Sequence, residues 1–200
     1  MKIKIFLSLL LLAFTQNAFT QNNRTENQPQ AILFSGDSLS AALARPPALS
    51  ITETSSDVVF SAAKAKTDFS LERKTFDLIN KHRKTLALEP LMWSDEIAKI
   101  ARLHSENMAN FKFFSHAGLD GLMVNDRADA VGINKWQAIS ENIASNRGYE
   151  NPVEYAVERW LLSPKHRANL LNSRWTESGI GIAVAADGTY YFTEVFLLIE

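Results

Sequence analysis

The sequence predicts an α+β fold arranged as a three-layer α–β–α sandwich. Apolar residues recur at helical spacing from residue 69 to about residue 160, whereas the alternation expected of a strand appears only near the C-terminus. The final stretch, 190–199, is apolar on nearly every residue, so it has no face to offer to water. A strand of that kind needs cover on both sides, which places helices above and below the sheet.

At the start of the chain Lys2 and Lys4 precede an apolar run over residues 5–14 that only Ser8 interrupts. Ala18-Phe19-Thr20 then offers small residues where a signal peptidase reads, with Gln21 as the first mature residue, so residues 1–20 are expected to be an export signal. The competing reading, a membrane anchor, fails on length, since spanning a bilayer takes about 20 apolar residues. The expectation is therefore a secreted protein, extracellular or periplasmic, and not an integral membrane protein once the signal is cleaved. Residues 21–68 are rich in Gln, Asn, Ser, Thr, Ala and Pro, and Arg45-Pro46-Pro47 interrupts any helix. They read as a flexible low-complexity spacer with two short apolar patches, Ala31-Ile32-Leu33-Phe34 and Asp57-Val58-Val59-Phe60, that could dock elsewhere.

Residues 69–200 read as one folded domain. A first helix is expected over about 70–83, with Phe76, Ile79 and Arg83 on one stripe. A second opens at Ser94, with Asp95 and Glu96 in its first turn and a stripe of Ile97, Ala101, His104 and Met108. A third is expected over 120–131, stopped by Gly132. The fourth starts at Asn151 and Pro152, with Glu154 completing a box-like cap and Val153, Val157, Trp160 and Leu161 turned inward. Ser163-Pro164 starts a further short helix carrying His166 in its first turn. Ile180, Ile182 and Val184 alternate with small residues, Asp187-Gly188 makes a hairpin turn, and the chain returns over 190–199.

Composition excludes several classes of function. With 21 basic and 22 acidic residues the formal net charge is −1, so no field of one sign is available to neutralise a nucleic acid. There is no cysteine, which removes disulfides, thiolate metal sites and thiol nucleophiles. No Gly-rich turn between strand and helix exists to cradle a phosphate. Chemistry is left to oxygen groups and four histidines. His116, in Phe114-Ser115-His116, and His166 stand beside backbone-breaking residues and are the candidates. His104 belongs to an apolar stripe and reads as a core or cleft-wall residue, His82 stands among Lys81, Arg83 and Lys84 and reads as solvated, and Ser163 reads as a helix cap. Ser115 beside His116 lacks the geometry and the third group of a nucleophilic triad. The four tryptophans read as packing residues.

Six motifs occur in order: Asn80-Lys81-His82-Arg83, Pro90-Leu91-Met92-Trp93, Phe114-Ser115-His116, Glu141-Asn142-Ile143-Ala144, the stretch from Trp160 to Asn169, and Gly179-Ile180-Gly181. Together they resemble the CAP superfamily (cysteine-rich secretory proteins, antigen 5 and pathogenesis-related proteins; the SCP-like domain). The Ser-Pro-x-His-Arg-x-Asn form resembles its bacterial branch. The resemblance covers residues 69–199 and implies the α–β–α sandwich, with a central cleft holding two histidines and two glutamates. Carried over by motif, these are His116, His166 and Glu141. Ser163 stands where the second glutamate belongs, and Glu177 is expected to compensate for it.

The resemblance implies a secreted ligand-binding module whose cleft of His116, Glu141, His166 and Glu177 takes a divalent metal, a peptide or a small amphipathic ligand such as a lipid. His116 and His166 would be the metal ligands, for zinc or another divalent cation that is not obligatory. A metal-free polar cluster in which Glu141 orients an imidazole is an equal alternative. No catalytic residue is assigned. Were the protein instead a metal-dependent hydrolase of the protease or esterase kind, Glu141 would be the general base. A structural cell-envelope protein is the third reading.

Overall fold

A computed structural model describes residues 30–33 and 64–199. The expected signal, the proline-rich stretch and the patch at Asp57 lie outside the described residues. Among the described residues six strands form one sheet in the order β1 (Gln30–Leu33), β4 (Trp136–Arg147), β6 (Tyr190–Ile199), β5 (Glu177–Val184) and β2 (Lys66–Thr67), with β3 (Met92–Trp93) parallel to the start of β5. All other pairings are antiparallel. Helices α1 (Phe69–Thr85), α4 (Pro152–Leu162) and α5 (Pro164–Leu170) cover one face, and α2 (Asp95–Phe111) and α3 (Val124–Ala130) cover the other. This is the α–β–α sandwich that the doubly apolar last strand requires.

Strand β4 is the longest of the strands that the sequence does not announce. Its central residues Glu141, Asn142, Ser145 and Asn146 are polar and buried, so the strand has no alternation of apolar and polar positions to betray it. The domain also begins earlier than residue 69. Ala65 is buried and donates its N–H to Asn110 Oδ1 at 2.8 Å, and Lys66–Thr67 pairs with Ala183 and Val184. Within the stretch read as spacer, Gln30–Leu33 pairs with β4 from Arg147 to Ala144.

The α1 face is filled with bulk. Phe76, Ile79, Val153, Val157, Trp160, Leu170, Ile180, Ile182, Phe192 and Phe196 form one cluster. Arg83 is fully buried beside it and donates to the carbonyls of Glu89 at 2.9 Å, Leu170 at 2.8 Å and Asn172 at 3.0 Å. Asn80 exchanges hydrogen bonds with the backbone of Leu91, so the first motif ties α1 to the segments that follow it.

The α2 face is built by close approach. A Cβ at Gly179 would lie 2.2 Å from the Ala98 nitrogen, and one at Gly181 would lie 2.0 Å from the Arg102 nitrogen. Only glycine lets the α2 backbone rest on β5 at this distance.

Three local expectations need correction. Helix α3 starts at Val124 and not at residue 120, because Gly121 turns with φ +81° and Asp120 accepts the Leu122 N–H at 3.0 Å. Glu154 makes no cap, since its Oε1 meets Lys74 of α1 at 2.7 Å. Ser163 occupies the cap position of α5 but turns its hydroxyl to a ring nitrogen, 2.9 Å from His166 Nδ1.

Candidate functional site

Helix α2 ends where Lys112 takes a left-handed conformation, φ 54°, and the chain turns through Phe113 to His116. Strand β4 presents Glu141 on the α2 face, opposite Val195, and Asn142 on the α1 face, opposite Glu194. His116 and Glu141 meet directly, with Nδ1 2.7 Å from Oε1. Arg127 of α3 donates Nη2 to the other carboxylate oxygen and Nη1 to the carbonyls of His116 at 2.9 Å and Leu122 at 2.8 Å. Their side chains are largely buried, with exposures of 3% for Glu141, 10% for Arg127 and 15% for His116. His104 of α2 completes the cluster. It is fully buried, its Nε2 lies 2.9 Å from the Ser115 carbonyl, and burial above all pushes its pKa down.

His166 reaches the same stretch of β4 by its backbone. Its carbonyl accepts from Asn142 Nδ2 at 3.1 Å, and Asn169, one turn further along α5, donates to Asn142 Oδ1 at 2.9 Å. Its Nδ1 lies 2.9 Å from the hydroxyl of Ser163, the residue that the resemblance sets in place of a second glutamate. Glu177 does not stand in for that glutamate. It opens β5 opposite Leu197 and lines a different groove with Glu96 and Lys135. With β6 between β5 and β4, it lies two strand spacings, about 10 Å, from the strand of Glu141.

The cluster does not fit a tightly held metal ion. Both oxygens of Glu141 are engaged, one by a guanidinium whose charge opposes a cation. Among the described residues no three His, Asp or Glu side chains are placed to share an ion. Arg127 is a member of the cluster that was not among the expected site residues. An arginine among the acidic residues Asp126 and Asp129 of a short helix carries no signal that it turns inward.

Arg127 also lines a groove of about 510 Å³ between α2, α3 and the loop before α3. Its walls are aliphatic (Ile100, Leu103, Leu122, Val131 and Ile133), and Glu96, Lys99 and Asp120 stand among them. The sequence analysis did not find this groove. Its signal was present in Leu103, Leu122 and Val131, apolar residues outside the predicted stripes that are 53%, 36% and 61% exposed.

The topology is that of an α+β sandwich domain, in which a histidine from the turn after α2 is held by a glutamate of a central strand, and the match to known proteins identifies it. The CAP family, described as the cysteine-rich secretory protein family, matches residues 76–196, and the chain belongs to it. It is 38% identical over 120 residues to an uncharacterized membrane protein, YlbC, of Bacillus subtilis, covering 60% of this chain and 32% of that protein. An SCP-domain-containing extracellular protein of Bacillus anthracis has a similar structure, with TM-score 0.56 and 30% identity over 64% of this chain and 40% of that one. An outer surface protein of Borrelia burgdorferi shares the fold, with TM-score 0.61 and 22% identity over 68% of this chain and 99% of that one. The chain spans about a third of the length of the first of these relatives.

Proposed function

We propose that this is an exported CAP-domain binding module for a small amphipathic ligand. The apolar part of the ligand occupies the groove between α2 and α3, and its polar part faces the Arg127–Glu141–His116 cluster. The observation that carries this reading is the double role of Arg127, which lines the aliphatic groove and also holds Glu141 and the His116 carbonyl. Apolar walls with a few placed polar groups are the usual make-up of a small-molecule site. Export is supported by the basic and apolar start of the chain and by the relatives described as an extracellular protein and an outer surface protein. Among the described residues no helix is long and apolar enough to cross a membrane.

The hydrolase reading asks for a carboxylate free to take a proton from water, and Glu141 gives both its oxygens to protein partners. A purely structural role makes no demand on the groove. Titration with decanoate, decyltrimethylammonium and decanol, followed by calorimetry, separates these readings. At least one probe is expected to bind. Leu103→Arg and Val131→Arg, at positions more than half exposed, are expected to weaken it by about tenfold or more without unfolding the protein. Failure of all three probes at millimolar concentration, or unchanged affinity in both variants, sinks the proposal.

A further inference from the structure

His104 is a costly residue for its place. It sits in the interior of α2, fully buried, on a stripe where Ile97, Ala101 and Met108 are apolar. A leucine there would bury more apolar surface and desolvate no imidazole. We propose that His104 is a positioning residue for His116, a neutral imidazole that holds the Ser115 carbonyl and thereby aims the His116 ring at Glu141. The inference rests on the reading that this cluster is the functional site.

Proton accounting fixes the tautomer. A carbonyl oxygen only accepts, so the 2.9 Å contact to Ser115 requires the hydrogen on His104 Nε2. Nδ1 is then a bare lone pair, and this atom is buried with no hydrogen-bond partner. A second proton at Nδ1 would be a buried charged donor without an acceptor, a worse outcome than an unused lone pair. Burial is also the largest influence on its titration and favours the neutral ring, as do Arg127 and nearby His116; Glu141 and the bond to Ser115 oppose them. The ring of Phe113 lies beside it in an edge arrangement, with ring centroids 6.1 Å apart.

The consequence falls on His116. Its turn has left α2 and has no ladder of backbone hydrogen bonds to hold it. Instead the carbonyl before it is held by His104, its own carbonyl by Arg127 at 2.9 Å, and the next N–H, of Ala117, by Ser115 Oγ at 3.1 Å. With those three groups fixed, the imidazole has its Nδ1 at 2.7 Å from Glu141.

The test is nitrogen-15 NMR of the full chain without ligand. Wild-type His104 is expected to carry its proton on Nε2, and His116 a slowly exchanging proton on Nδ1. His104→Phe keeps an aromatic ring but cannot donate to Ser115, and should speed exchange of the His116 proton at least tenfold or abolish its signal. His104→Gln, whose amide can donate from the same place, should keep that exchange within about twofold of wild type. A residue that only filled space would change the melting temperature of the variants and leave the His116 proton alone. The proposal is overturned by a proton on Nδ1 of wild-type His104, by a folded Phe variant with an unchanged His116 signal, or by a Gln variant that loses it. If the Phe variant does not fold, the wild-type tautomer and the Gln variant decide. Since no ligand is present, failure here leaves the binding proposal standing, and failure of all the alkyl probes leaves this one.

Discussion

The two faces of the sheet solve the same packing problem in opposite ways. Toward α1, α4 and α5 the strands send Ile180, Ile182, Phe192 and Phe196 to meet Phe76, Val157 and Trp160, and bulk fills the layer. Toward α2, strand β5 offers Gly179, Gly181 and Ala183, and the helix backbone comes down onto the strand. Adjacent residues of one strand thus carry opposite instructions, large at even positions and nearly absent at odd ones. The difference bears on function. The filled face packs its layer with large side chains, whereas the face built by close approach leaves α3 at the side of α2, with the groove between them and Arg127 linking that groove to His116 and Glu141.

The largest effects should come from exchanging these instructions. Trp160→Ala removes a fully buried indole and the donor to the Ile143 carbonyl at 3.0 Å, and should cost about 3–5 kcal/mol in denaturant unfolding. Gly181→Ala adds a single carbon, yet that carbon would sit 2.0 Å from backbone nitrogen that cannot swing aside. It should cost about 1–3 kcal/mol or more. A neutral Gly181→Ala would mean that α2 can lift freely, and the contrast between the faces would collapse.

This asymmetry also explains what could be read from the sequence. The filled face writes itself as periodicity, so α1, α4 and the strands of the hairpin were legible from Phe76, Ile79, Val153, Trp160, Ile180 and Ile182. Family motifs singled out His116 and Glu141, whose side chains lie 2.7 Å apart. What escaped was polar or small. Strand β4 buries Glu141, Asn142, Ser145 and Asn146, and no hydrophobic pattern marks it. Arg127 turns inward from a short helix that looks solvated, and the tautomer of His104 depends on a carbonyl 11 residues away. Glu177 was misjudged because proximity in sequence to the hairpin says nothing of which strand separates it from Glu141.

A buried acid sharpens the comparison by testing how well the filled face tolerates charge. Glu194 lies on that face, wholly buried, with Ser178 Oγ 3.2 Å from Oε1 and with Arg83 the charged group acting on it. Burial raises its pKa to about 8, against the opposing pull of Ser178 and Arg83. The folded protein therefore holds this proton between about pH 4.5 and 8, where the unfolded chain has released it. Stability from this group should fall as pH rises through that window and level off above it. Glu194→Gln keeps the shape without the titration. The difference in unfolding free energy between variant and wild type should grow in the variant's favour by a few kcal/mol from pH 5 to pH 8. A constant difference across that range would show that Glu194 is already ionised in the fold.

The smallest effect should come from the surface of the same face. Lys74 of α1 meets Glu154 of α4 at 2.7 Å, but both side chains are nearly half exposed. The lysine lowers the pKa of Glu154, so the pair stabilises at neutral pH and its contribution fades as pH falls through the carboxylate range. Water screens such a pair and two long side chains must be ordered to make it, so Lys74→Ala should cost no more than about 0.5 kcal/mol, and less in high salt. The same denaturant measurement that registers Trp160→Ala checks this. A cost above about 1.5 kcal/mol that salt removes would mean that α1 and α4 are joined by charge and not by the buried contacts of Phe76, Val153 and Trp160. The description of this face as one held by bulk would then fail at its own edge.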